Sequence, residues 1–207
     1  MLPAELDEET IARLKAGDAH AFADLFATHR IRLRQMLEFR MGGRVRVRED
    51  ASDVLQDVYL DAHQRIHHYL KKPEMSFFVW LRQLTKQRLI DVQRKHLAVK
   101  RSVKQEVRLA VRGAATSASI ARHLVSRLAS PSQIMIQDEM IVQIENGLDT
   151  LDEIDREVLA LRHFEELRNT EVAEILGITR AGASNRYMRA LTRLREVLSD
   201  IPEFFDM

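Results

Sequence analysis

The chain has 207 residues, 45% hydrophobic and 30% charged, with 7 Gly, 4 Pro, no Cys and a formal net charge of +1. That balance suits a folded, core-forming protein, and the missing thiols exclude disulfides, thiolate metal sites and cysteine nucleophiles. The acidic start, Met1 to Glu9, lacks the order of a signal peptide, and no run approaches the roughly 18 apolar residues of a membrane span, so the expectation is a cytoplasmic protein without membrane insertion.

Leu, Ala, Glu, Arg and Ile at three-to-four spacing favour helix almost everywhere, and the chain reads as all-α. A short helix is expected at 8–16. From Asp18 a long core helix puts Phe22, Leu25, Phe26, Leu33, Met36 and Leu37 on one stripe, with Gly42-Gly43 as its stop. A second long helix starts at Asp50, a suitable cap, and runs through Val54, Leu55, Val58, Tyr59, Ala62 and Ile66 until Pro73 interrupts. A third begins at Ser76, whose hydroxyl suits a cap, and turns Phe77, Trp80, Leu81, Leu84 and Leu89 inward as far as about Arg94. These elements make one four-helix bundle over residues 1–97.

Residues 98–132 change character. Lys100, Arg101, Lys104, Arg108, Arg112, Arg122 and Arg127 stand against Glu106, with small residues from Gly113 to Ser119. Too few apolar positions repeat to hold a core, and the stretch reads as a long, basic, flexible linker, helical in parts such as 100–111. A second helical domain, 133–207, follows with helices near 132–148, 152–163, 169–176 and 179–198. No internal repeat is visible.

The near-zero net charge hides segregation, which is the more informative quantity. Residues 49–61 carry Glu49, Asp50, Asp53, Asp57 and Asp61 without a Lys or Arg, whereas 82–101 carry Arg82, Lys86, Arg88, Arg94, Lys95, Lys100 and Arg101 against Asp91. Residues 138–157 are acidic apart from Arg156, and 180–196 carry Arg180, Arg186, Arg189, Arg193 and Arg195 against Glu196. Alternating blocks suit a protein that meets nucleic acid on some faces and a basic protein surface on others. Solvated helix faces are the plainer alternative.

The sharpest local signal is Thr170-Glu171-Val172-Ala173-Glu174-Ile175-Leu176-Gly177-Ile178-Thr179 followed by Arg180 to Arg189. It reads as a helix-turn-helix. Ala173 lets a second helix cross closely, Gly177 permits a left-handed turn, Ile178 plugs the core and Thr179 suits a cap. The second helix turns Ala183, Tyr187 and Leu191 inward. Arg180, Ser184, Asn185 and Arg189 then face outward, where Arg pairs with guanine and Asn with adenine in a major groove; Arg186 is counted in the same DNA-facing set.

At these residues the chain resembles the extracytoplasmic-function (ECF) group of bacterial RNA polymerase sigma factors of the sigma-70 family. Asp50-Ala51-Ser52-Asp53-Val54-Leu55-Gln56-Asp57-Val58-Tyr59-Leu60 resembles region 2.2, which implies that Asp50, Asp53, Gln56 and Asp57, on one helical face, meet the polymerase clamp. Phe77 to Arg82 with Leu89 to Lys95 resembles regions 2.3 and 2.4, which implies that Trp80, Lys86, Arg88, Asp91, Arg94 and Lys95 melt and read the minus-ten element. Leu148 to Leu198 is similar to region 4, which implies that the helix-turn-helix reads the minus-thirty-five element. No counterpart of sigma region 3 intervenes, so the resemblance lays the basic linker along polymerase channels in its stead. It also implies core RNA polymerase and promoter DNA as partners, an anti-sigma factor that clamps the two domains, no cofactor, no catalytic residue and no metal.

Gly182, Ala183, Ser184 and Asn185 depart from the residues common in that family, so the promoter sequence does not carry over. Gly182 reads as a helix-interior glycine, consistent with either close approach to DNA or a weak spot. Trp80 lies on the apolar stripe of its helix with Phe77 and Leu84 and reads as a core residue ahead of a base-stacking one. His63 and His67, four apart beside Asp57 and Asp61, read as solvated histidines rather than metal ligands. The tail Ile201 to Met207 is expected to pack back onto the second domain. The alternative function is a stand-alone helix-turn-helix regulator without a polymerase role; no Walker loop, nucleophile elbow or metal-spaced carboxylate cluster supports an enzyme.

Overall fold

A computed structural model describes residues 6–41, 50–98, 117–128 and 134–201. The chain divides into two compact units, Met1–Gly113 and Ala114–Met207. Among the described residues every regular element is helical.

The first unit contains α1 (Glu8–Lys15), α2 (Ala19–Arg40), α3 (Ala51–Lys71) and α4 (Phe77–Ala98). Each of the first three begins at an aspartate whose carboxylate satisfies a free amide of the opening turn. Thr10 N donates to Asp7 Oδ1 at 2.6 Å, His20 N and Ala21 N to Asp18 Oδ1, and Ser52 N to Asp50 Oδ1. The backbone donors of Thr10 and Ala21 hold the carboxyls of Asp7 and Asp18 below the usual carboxylate range. The fourth helix begins directly after Ser76, whose carbonyl accepts from Trp80 N at 3.0 Å. Packing of α1 on α2 and α3, and of α2, α3 and α4 on one another, gives the expected bundle.

Its core follows the apolar stripes. Phe22, Leu33, Met36, Leu37, Val54, Leu55, Val58, Phe77, Leu81 and Leu89 are buried, with Phe22 and Phe26 each 5.2 Å from the ring of Tyr59. Two arginines break the pattern. Arg40 and Arg82 are buried, so Arg82 belongs to the interior and not to the basic surface that the charge blocks suggest. The proposed Gly42-Gly43 stop lies outside the described residues, although α2 does end at Arg40.

The second unit contains α5 (Ser117–Leu128), α6 (Ile134–Leu148), α7 (Glu153–Leu159), a wider π-helical turn over Ala160–Phe164, α8 (Asn169–Leu176) and α9 (Arg180–Ser199). Helix α5 corrects the linker expectation for 117–128. It packs along α6 with Ile120, Ala121 and Val125 buried, and the hydroxyl of Ser117 donates to Asp149. Ile120, Leu124 and Val125 do repeat at helical spacing, but Arg122, Arg127 and the neighbouring small and basic residues made the stretch read as linker. The rest of the supposed linker, and the tail beyond Ile201, lie outside the described residues.

Arg156 closes the connection between α6 and α7. Its Nη1 donates to the carbonyls of Leu151 at 2.6 Å and Leu148 at 3.2 Å, capping the orphan acceptors at the end of α6. In the π-helical turn, Glu165 N reaches back five residues to Ala160 O and Leu167 N six to Leu161 O, which carries the chain into α8.

Candidate polymerase and promoter surfaces

The helix-turn-helix is formed by α8, Gly177–Thr179 and α9. Ala173 is buried where α8 and α9 pack, and Gly177 takes φ +63, a left-handed value that costs a glycine little. Thr179 Oγ1 accepts from Gly182 N at 3.0 Å, the side-chain cap expected of that residue. Gly182 therefore sits in the first turn of α9, three residues past the cap, and not in the helix interior. A Cβ there would lie 3.1 Å from Thr179 Oγ1, so the glycine leaves room for its neighbour's capping hydroxyl.

Of the outward candidates, Arg180, Ser184, Asn185 and Arg189 are exposed. Arg186 behaves differently. Its Nη1 lies 2.7 Å from Asp155 Oδ1 on α7, with side chains only 28% and 13% exposed, so its charge is spent inside the unit. Two residues that sequence reasoning did not single out shape this face. Asn169, at the start of α8, donates through Nδ2 to Arg180 O at 2.9 Å and Ser184 Oγ at 3.0 Å, fixing the opening turn of α9. Met188 is exposed beside Asn185 and Arg189.

The inward side of α9 rests on the π-helical turn. Ala183 is buried, and Tyr187, half-buried, bonds through its hydroxyl to His163 Nε2 at 3.0 Å while the Arg162 guanidinium lies 5.0 Å above its ring. Burial, and then the charge of Arg162, push the His163 imidazole below its ordinary value of 6.5. The native state therefore holds a neutral ring, and as pH falls below 6.5 the unfolded chain takes up the proton first. Stability contributed by this depressed group is intact above pH 6.5 and is lost as pH falls through the lower native value. The ring should titrate below 6.5 by NMR, and His163→Gln should remove that component from the pH profile of unfolding.

On the first unit, Asp53 and Gln56 are exposed on α3, and Asp50 is exposed while capping it. Asp57 forms an ion pair with Arg88 on α4. One candidate for polymerase and one for the minus-ten element thus bind each other, 31 residues apart in sequence. Along α4, Arg94 and Lys95 are exposed, Lys86 is half-buried, and half-buried Asp91 accepts from Gln87 Nε2 at 3.5 Å. Trp80 is half-buried, stacked at 4.7 Å and 26° on Tyr69 and 5.5 Å from Phe77, so it is a member of an aromatic cluster that leaves it partly exposed. The Tyr69 hydroxyl donates to Met75 O at 2.9 Å and ties that cluster to the connection before α4. His63 lies with its ring edge-on to Phe22 at 5.1 Å.

No helix among the described residues is long and apolar enough to cross a membrane. The sequence family described as ECF sigma factor matches residues 8–200, spanning both units. The chain is similar to the RNA polymerase sigma-H factor of Pseudomonas aeruginosa, 24% identical over 204 residues, covering 97% of this chain and 98% of that protein. It is also 26% identical over 195 residues to the ECF RNA polymerase sigma factor SigW of Bacillus subtilis, covering 94% of this chain and 97% of the relative. Among solved structures, CnrH in complex with the cytosolic domain of CnrY shares the fold, with a TM-score of 0.52 at 21% identity, over 94% of this chain and 98% of that one. With both of its helical units matched, the chain belongs to the ECF sigma factor family and is a transcription initiation factor that directs RNA polymerase to promoters.

Proposed function

We propose that the first unit, over 1–97, is the sigma region 2-like domain and the second the region 4-like domain, with separate surfaces for polymerase and for each promoter element. The observation that carries this reading is the family match across both units. A stand-alone regulator would need only the helix-turn-helix, and its alternative status rests on no feature of α3 or α4. On α3 the polymerase-facing set is Asp53 and Gln56, with Asp50 at the cap; Asp57 serves chiefly as the anchor of Arg88. On α4, Arg94, Lys95 and Lys86 hold minus-ten phosphates, and the exposed part of Trp80 offers a stacking surface for an unpaired base. On α9, Arg180, Ser184, Asn185 and Arg189 face the minus-thirty-five major groove. The chain supplies binding and positioning while polymerase supplies the chemistry, and its place of action is the cytoplasm.

An anti-sigma partner is part of this reading. One solved structure that shares the fold, CnrH, was determined bound to the cytosolic domain of a second protein, CnrY, which supports a partner of that kind for this chain.

The test is reconstitution. Core RNA polymerase plus this chain should produce promoter-dependent transcripts on genomic templates, and absence of any such transcript would end the proposal. Asp53→Lys is the discriminating variant, because Asp53 is exposed and has no role in capping. Exposed pairs contribute about 0.2 to 1 kcal/mol, and reversal adds repulsion, so affinity for core polymerase should fall roughly threefold to tenfold. Duplex DNA binding should be unchanged, and thermal stability should fall by no more than about 1 kcal/mol, the loss of a first-turn acid at the positive end of α3. A stand-alone regulator would show no specific affinity for core polymerase, and so no such fall.

A further inference from the structure

We propose that Met188 reads a thymine 5-methyl group in the major groove of the upstream promoter element. The inference rests on the assignment of α9 as the base-reading helix and adds a contact of a different chemistry.

Met188 is 60% exposed, more than any other large apolar side chain among the described residues of the second unit. A single exposed methionine is unremarkable in itself. Its position makes the difference. It lies three and four residues after Asn185 and Ser184, on the same side of the helix, and together with Gly182, Asn185, Arg186 and Arg189 it surrounds an open depression on α9.

Within that depression the groups divide by chemistry. The Arg186 guanidinium is turned to Asp155, and Gly182 has no side chain to fill the floor. What remains for a ligand is the Asn185 amide, the Arg189 cation and the Met188 thioether. Flanking positive charge from Arg180 and Arg189 suits a phosphate-lined groove, which commits the occupant to duplex DNA and not to an apolar peptide. Amide and guanidinium answer the donors and acceptors on base edges. Of the four bases in a major groove only thymine presents a methyl group, and an unbranched, polarizable thioether adapts readily to such a surface.

The test uses promoter duplexes identified by mapping transcripts after overexpression of the chain. Each thymine of the upstream element is replaced in turn by deoxyuridine, which removes the methyl and nothing else. Affinities are measured for the full chain bound to core polymerase, as wild type, Met188→Ala and Met188→Leu. One replacement should weaken the wild type about fourfold, the value of one buried carbon at ~0.8 kcal/mol. Met188→Ala should be indifferent to that replacement, and Met188→Leu should remain sensitive. A wild type indifferent at every thymine, or Met188→Ala still sensitive at the same one, would overturn the proposal. A duplex with a scrambled upstream element separates the two levels: if it binds as tightly as the native one, α9 does not read bases and the broader assignment fails as well.

Discussion

Gly147→Ala is expected to destabilise the second unit by about 2 kcal/mol. In an exposed helix the same change would gain roughly 1 kcal/mol, because glycine is the more costly residue there. Here the added Cβ would lie 2.8 Å from Cγ2 of Val197 and nearer still to Cγ1, where α6 and α9 pack together. Val197 is buried and β-branched, so its χ1 has little freedom to move both methyls aside. Overpacking at the upper end of its usual range, about 3 kcal/mol, then outweighs the propensity gain. For a unit of this size the melting temperature should drop by roughly 10 °C in calorimetry. Val197→Ala introduced with Gly147→Ala should relieve the clash but forfeit buried methyl contacts, so the double variant should destabilise less than the two single losses added. A rise in melting temperature for Gly147→Ala alone would mean that the two helices do not approach at that glycine.

Arg186→Ala should act on the fold more than on promoter choice. Its partner Asp155 is only 13% exposed, and removing the guanidinium leaves that carboxylate enclosed without its cation. Breaking a fully buried pair costs about 3–5 kcal/mol, and the partial exposure of both groups reduces this to roughly 2 kcal/mol. The comparison is Arg189→Ala, three residues on. Arg189 is exposed, so its loss should leave thermal stability unchanged while lowering the salt dependence of DNA binding by about one contact. Asp155→Ala should destabilise to a similar degree, and the double variant should lose less than the two losses added, as expected for a direct pair. If Arg186→Ala melted like the wild type and lost the salt slope, Arg186 would belong with Arg189 on DNA.

These two cases mark where sequence reading reaches its limit. The helix-turn-helix was legible because each of its requirements is local: Ala173 small, Gly177 left-handed and Thr179 accepting from Gly182 are all set within ten residues of one another. The cap of Asp50 was legible for the same reason. Arg186 with Asp155, Asp57 with Arg88 and Gly147 with Val197 join residues thirty or more positions apart, and no pattern along one chain specifies such partners. Charge blocks were misleading in a similar way. Arg82 and Arg186 contribute to a basic tally, yet one is buried and the other is held by a carboxylate. Helix α5 was missed because its Ile120 and Val125 repeat stands inside a stretch whose basic and small residues were read as a tether.

The pair between Asp57 and Arg88 has a consequence for genetics. Under the proposed assignment, variants selected for weak polymerase binding and variants selected for weak promoter opening should meet at this one link between α3 and α4, the first through Asp57 and the second through Arg88. Suppressors should then cross the two collections. Exchanging the charges, Asp57→Arg with Arg88→Asp, should restore most of what either change alone loses, about 0.2 to 1 kcal/mol for a pair this exposed.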